Sequence, residues 1–231
     1  IFDGDLGMAN VDILFGTKSK GSIWDVINAE KDIAEIITPL APNIDLIPGG
    51  TGVAELNRLN PFQRRALIES LSPLEYKYDY LLIDTAPGLS ENVLYLNSAA
   101  QMITMIITPD AASITDAYAL MKILHTEYKE QRFTVVCNQV RDEFEGLSLY
   151  KRFNEVVGRF LNVSLDYAGS IPSDAAVRRS TQTQKVLLNY DPQSQAGLAI
   201  QGLSQKMEKS LTARNSEKAG MQFFIEQVVS F

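Results

Sequence analysis

The 231-residue sequence predicts an α/β fold, a three-layer, doubly wound, mostly parallel sheet with helices on both faces. Two observations carry this. Short β-rich apolar runs alternate along the chain with longer stretches whose apolar residues recur at helical spacing. The runs are also apolar throughout rather than at every second residue, as expected of strands buried on both faces.

In chain order, Ile1-Phe2-Asp3 reads as the end of a strand. The segment 22–27 reads as a short helix capped by Ser22, with Trp24 as its packing anchor. Further strands are predicted at 44–47, 80–83, 102–107, 133–137 and 165–171, and helices at 56–71, 113–128, 143–161 and 193–211. The acidic stretch Arg141-Asp142-Glu143-Phe144-Glu145 suits a helix start, where carboxylates favour the dipole. Residues 1–211 form the expected domain. Residues 212–219 are small and polar and read as a linker. Residues 220–231 place Met221, Phe224, Ile225 and Val228 on one face of a short amphipathic helix.

Composition narrows the chemistry. With 45% hydrophobic and 21% charged residues the chain is an ordinary globular sequence. One cysteine, Cys137, excludes a disulfide framework and a thiolate zinc site within the chain. Cys137 is expected in the core. The single histidine, His125, excludes a multi-histidine metal cluster and is expected to be structural or exposed. A net charge of -7 disfavours direct nucleic-acid binding, which needs many phosphate-neutralising cations. A reducing, cytoplasmic setting fits best. No apolar stretch approaches the roughly 20 residues that span a bilayer.

Ligands of open parallel sheets bind beyond the carboxyl ends of the strands. Asp3-Gly4-Asp5, Asp84 and Thr108-Pro109-Asp110 all stand at such ends. Two acids one residue apart in a strand point to the same side, so Asp3 and Asp5 can face one cation and one attacking water. Asp84 is followed by Thr85-Ala86-Pro87-Gly88, in which the glycine admits a backbone N–H close to a phosphate. A strand-terminal Asp serves a turn or cap equally well. The conjunction with Asp3-Gly4-Asp5 favours Mg²⁺, which keeps several waters and takes one or two carboxylates beside phosphate oxygens.

These segments resemble the MinD/ParA family of P-loop ATPases in order over roughly residues 1–210. The run from Asp3 to Asp12 is similar to the family's switch I, and Tyr80 to Gly88 to its Walker B and switch II. Asn138 resembles the adenine-contacting Asn, and Gly169-Ser170-Ile171-Pro172-Ser173-Asp174 the loop that closes over adenine. The segments 47–56 and 108–122, with the tail 220–224, look like the flagellar-number regulator type (FlhG/FleN).

The resemblance implies an ATP/ADP and Mg²⁺ site in which Asp5 orients the attacking water. Asp84 would hold the metal through its water shell, with Asp3 in support. Gly88, Asn138, Pro172 and Asp174 would bind nucleotide, and Asp116 would face a partner or the family's signature lysine. It also implies an ATP-dependent homodimer that regulates the number and placement of flagella. The partners would be a signal-recognition-like flagellar GTPase, a flagellar transcription activator or flagellar switch-complex proteins. MinD-type septum positioning, ParA-type partition and a non-catalytic adaptor are the alternatives. The neutral tail weighs against the first and the acidic balance against the second.

The family's Gly-rich Walker A loop is not among these 231 residues, so this stretch by itself is expected to hold nucleotide poorly. That loop is expected upstream of residue 1. Met221, Phe224, Ile225 and Val228 are expected either to dock reversibly on the inner face of the cell membrane or to pack back onto the protein.

Overall fold

A computed structural model describes residues 1–53, 55–56, 59–74 and 77–213. The expected tail helix, with Met221, Phe224, Ile225 and Val228, lies outside the described residues, as does most of the expected linker. The chain divides into two compact units, one spanning Ile1–Gln101 and the other beginning at Met102.

The first unit pairs β1 (Phe2–Gly4) in parallel with β4 (Ile83–Thr85). Between them come three short helices, α1 (Val11–Leu14), α2 (Ile23–Ile27) and α3 (Ile33–Ile36), then β2 (Thr38–Ala41), β3 (Ile44–Leu46) and α4 (Pro61–Leu71). The unit closes with α5 (Glu91–Ala99). Its core gathers Phe2, Leu6, Ile23, Ile36, Leu67, Leu71 and Leu96.

Three expectations are corrected here. The run at 44–47 was expected as one more parallel strand. Instead β2 and β3 form an antiparallel hairpin, and only Ile47 reaches β1, through a parallel bridge to Phe2. Asn43, with φ 63°, supplies the left-handed turn that closes the hairpin, a conformation Asn tolerates. The helix expected from 56 starts at Pro61. Asn60 caps it by accepting a hydrogen bond from Gln63 N at 3.0 Å, and proline suits a first helical position that needs no N–H. The helix α5 went unread because it lacks a polar face. Nearly all of it is buried, as helices without such a face must be.

The second unit is a three-stranded parallel sheet in the order β5 (Thr104–Ile107), β6 (Arg132–Val140), β7 (Ser164–Pro172). Its helices are α6 (Ala111–Tyr128), α7 (Glu143–Phe160), α8 (Ala175–Gln182), α9 (Leu187–Tyr190) and α10 (Gln195–Ala213). The helix α10 includes Thr212 and Ala213, the first two residues of the expected linker. Central β6 supplies Phe133, Val135 and Cys137, all fully buried. Burial pushes the Cys137 thiol up to about 11, which keeps it unreactive. His125 Nδ1 lies 2.8 Å from the Glu130 carbonyl at the end of α6, a structural role.

Coverage of the strands is uneven. Leu82, just before β4, is 63% exposed and Ile106 in β5 is 60% exposed, although both runs read as buried on two faces. Among the described residues each of β4 and β5 has one hydrogen-bonded neighbour, whereas β6 has two.

Candidate functional site: an acidic strand rim

In the first unit, the register of β1 on β4 sets Asp3 opposite Asp84. Side chains in register on adjacent strands emerge on the same face, so these two carboxylates share one side of the pair. Asp5 follows in the turn beyond β1, where its Oδ1 accepts a hydrogen bond from Met8 N at 3.2 Å. Charge couples neighbours along this rim, Asp84 acting on Asp3 and Asp5 on Asp84. Burial raises the Asp3 pKa first, with a further push from the Asp84 charge, while the N–H groups of Val11, Asn10 and Asp5 oppose it. Burial also raises that of Asp84, and the Asp5 charge adds to the shift.

Their roles separate on hydrogen bonding. Asp3 is 2% exposed. Its Oδ2 accepts from Asn10 N at 2.9 Å and Val11 N at 3.1 Å, and its Oδ1 from Asp5 N at 3.3 Å. A buried carboxylate must be satisfied in this way, and here it staples the loop 5–11 onto β1. Both Asp3 oxygens accept from backbone, and any support of the metal's water shell would come through the lone pairs these bonds leave. Asp84 is the opposite case. Its side chain makes no hydrogen bond or ion pair among the described residues, and it stands exposed beside Asp5.

The loop is held from behind by the segment Gly49 to Gly52, which in the sequence stands out only through its family resemblance. Gly50 O accepts from Ala9 N at 3.0 Å, and Gly7 O accepts from Gly52 N at 3.1 Å. Thr51 Oγ1 donates to Ala9 O at 3.2 Å. A Cβ on Gly49 would sit 2.7 Å from Asp3 O and 3.1 Å from Asp5 O, and one on Gly50 would sit 2.9 Å from Leu6 O. Glycine is required here for close approach. Consecutive glycines directly after a strand were the available signal. Gly88 is glycine for another reason: its φ is +97° and the space around it is open.

In the second unit Asn138 and Pro172 lie at the carboxyl ends of neighbouring strands, with Asn138 paired to Ile171 and Val140 to Pro172. Asn138 Oδ1 accepts from Gln139 N at 2.9 Å. Asp174 is next to them and accepts from two backbone donors. It caps α8 through Ala176 N at 2.8 Å and also accepts from Ala196 N, in α10, at 3.1 Å. These backbone donors hold its carboxyl below the usual range. Asp174 thereby joins two helix starts, and the expected nucleotide contact would use the lone pairs these bonds leave. Asp110 is likewise a cap, accepting from Ser113 N at 2.8 Å. Asp116 lies in the second turn of α6, exposed and without an ion pair among the described residues.

The Mg²⁺ expectation can be tested on the donor set. Among the described residues no group of three or more His, Cys, Asp or Glu side chains could enclose a metal ion. What is present is one unpartnered hard oxygen donor, Asp84, with a second carboxylate near it. That fits a hydrated Mg²⁺ taking few protein ligands, and fits no all-protein cage.

Comparison with known proteins gives four findings. Residues 7–135 match a family described as an AAA domain. The chain is 33% identical to the antiactivator FleN of Pseudomonas aeruginosa over 99% of its own length and 81% of FleN. It is 26% identical to the flagellum site-determining protein YlxH of Helicobacter pylori, over its whole length and 79% of YlxH. Among solved structures it is similar to the septum site-determining protein MinD of Pyrococcus horikoshii, complexed with Mg-ADP. The TM-score is 0.72 and identity 21%, over 93% of this chain and 85% of that one.

Proposed function

This chain belongs to the AAA-domain family in its MinD/ParA-type P-loop ATPase branch, alongside FleN and YlxH, and from that premise we propose that it is an ATP-dependent dimerising switch regulating the number and placement of flagella. ATPase chemistry is the family's common property. The assignment of individual residues rests on the acidic rim, and above all on the one carboxylate that backbone does not claim, Asp84.

Phosphoryl transfer asks mainly for positioning and charge neutralisation. Magnesium, when bound, supplies the neutralisation at the phosphates. Asp84, in β4, would hold its water shell, and Asp5, fixed through Met8 N, would orient the attacking water. Asp3 positions Asp5 by stapling the loop that carries it. Gly88 brings backbone toward the terminal phosphate. Asn138 and Pro172 serve the adenine. Asp116, free on the exposed side of α6, serves a partner surface.

The reading extends to a cytoplasmic protein peripheral to the inner membrane face, with flagellar regulators as partners. Among the described residues no helix is long and apolar enough to cross a membrane. Since these 231 residues contain no Gly-rich Walker A loop, this stretch alone is expected to turn over ATP poorly. The decisive experiment is Asp5→Ala in the full-length protein. Hydrolysis should be lost while ATP-dependent dimers persist in sedimentation velocity. Turnover at the parental rate would remove Asp5 from the mechanism.

A further inference from the structure

The helix α7 turns two unlike faces to its surroundings. Gly146, Leu149, Phe153 and Val157 are buried against the sheet. The opposite face carries Phe144, 82% exposed, with Leu147, Ser148, Lys151, Arg152 and Glu155, and these six line one shallow concavity. At 1.5 Å per residue, Phe144 to Glu155 spans about 16 Å, the length of roughly three helical turns.

The charges on this face are not equivalent. Every acid along it is already engaged within the protein. Asp142 caps α7 through Glu145 N at 2.8 Å, and Glu143 accepts from Ser170 Oγ at 2.7 Å. Glu145 pairs with Arg141 at 3.2 Å, and Glu155 pairs with Arg159. Lys151 and Arg152 have no ion pair among the described residues and both are exposed. The face thus presents an apolar end at Phe144 and Leu147 beside two uncommitted cations, on a chain whose net charge is -7.

We infer that this face of α7 is a docking surface for an acidic amphipathic helix of a partner protein, with Phe144 and Leu147 taking its apolar stripe and Lys151 and Arg152 its carboxylates. Helix-on-groove docking uses this division of labour, apolar anchors for affinity and rim charges for choice of partner. A second copy fits less well. A two-fold contact would bring both copies' Lys151 and Arg152 into one interface with no acidic partner of its own to offer. Two cations are too few for nucleic acid or for stable docking on an anionic lipid surface, both of which draw on larger basic clusters. The inference is independent of the nucleotide site.

The test uses the full-length protein and a fluorescein-labelled helical peptide of about 12 residues, with leucines on one stripe flanked by glutamates. A control peptide carries lysine at each glutamate. In fluorescence anisotropy the acidic peptide should bind and the basic one should not. Phe144→Ala should weaken binding at least about tenfold, and Lys151→Glu with Arg152→Glu should invert the preference toward the basic peptide. Circular dichroism and an unchanged ATPase rate check that these surface variants fold. The inference fails if both peptides bind equally, or if neither binds at about 1 mM. It fails too if the charge reversal leaves the acidic peptide's affinity within about twofold. Loss of anionic-vesicle flotation through the same residues would assign the face to lipid and overturn it as well.

Discussion

The strand ends of the two units carry the same residue type and put it to opposite use. In the second unit Asp110, Asp142 and Asp174 each stand one residue before a helix, and each gives its carboxylate to backbone N–H groups in the first turn. The pKa values of Asp110 and Asp174 are lowered accordingly. In the first unit Asp84 is separated from α5 by a loop containing Pro87 and Gly88, and Ser90 takes the capping role by accepting from Val93 N at 3.3 Å. Asp84 is left without a partner and with a raised pKa. A strand-terminal aspartate is thus free for a cation when the helix that follows begins too late to use it. Asp3 marks the boundary of this rule. It stands among the acids of the rim, yet the loop folds back so that its N–H groups reach the carboxylate.

The comparison can be broken first at Asp3. Asp3→Ala removes the acceptor of three backbone N–H groups in a buried place and should cost about 3 kcal/mol in urea unfolding. Asp84→Ala should change stability by less than about 0.5 kcal/mol while abolishing hydrolysis in the full-length protein. Equal losses of stability for the two variants would erase the distinction between staple and ligand.

Next in size is Gly49→Ala, whose Cβ would press on Asp3 O at 2.7 Å and should cost about 2 kcal/mol. Gly88→Ala meets no atoms and should cost only about 1 kcal/mol, from its left-handed backbone. Differential scanning calorimetry of the pair should keep that order.

The smallest effect is the acid titration without magnesium. Asp84 has a folded pKa above its unfolded value, so the folded state binds the extra proton and this group's contribution falls as pH rises through that interval. Asp174 has a folded pKa below its unfolded value. Its contribution is present above the unfolded pKa and is lost as pH falls through the folded one. Asp84→Asn should therefore gain stability over the parent only above about pH 4, whereas the loss in Asp174→Ala should be complete above about pH 4 and shrink as pH falls further. Parallel curves for the two variants in chemical unfolding from pH 2.5 to 7 would contradict the opposed shifts.

Much of this was legible from local pattern. The strands β5, β6 and β7 and the helices α6 and α7 fall where apolar runs and helical spacing put them. The short helix at Trp24 forms as read, with Asp25 accepting from Ser22 N at 3.0 Å. The misreadings have local causes. The segment Asn60-Pro61 is a helix start that the longer apolar periodicity concealed, and α5 hides because periodicity needs a polar face to show itself. The hairpin β2–β3 was missed because Ile44 to Ile47 is too short to declare its partner.

By itself the sequence determined the order of strands and helices, the acids at the strand ends and the membership of a nucleotide-switch family. These follow from backbone propensity and from side chains acting within one or two turns of themselves. Only the tertiary structure decided which acid was spent and which was spare. That choice depends on the parallel register that sets Asp3 against Asp84, on Gly49 and Gly50 backing a loop some forty positions away, and on Ala196 reaching Asp174 across 22 residues. Hydrogen-bond donors arriving from such distances leave no local pattern, because strand pairing and close backbone approach, not the neighbouring residues, bring them in.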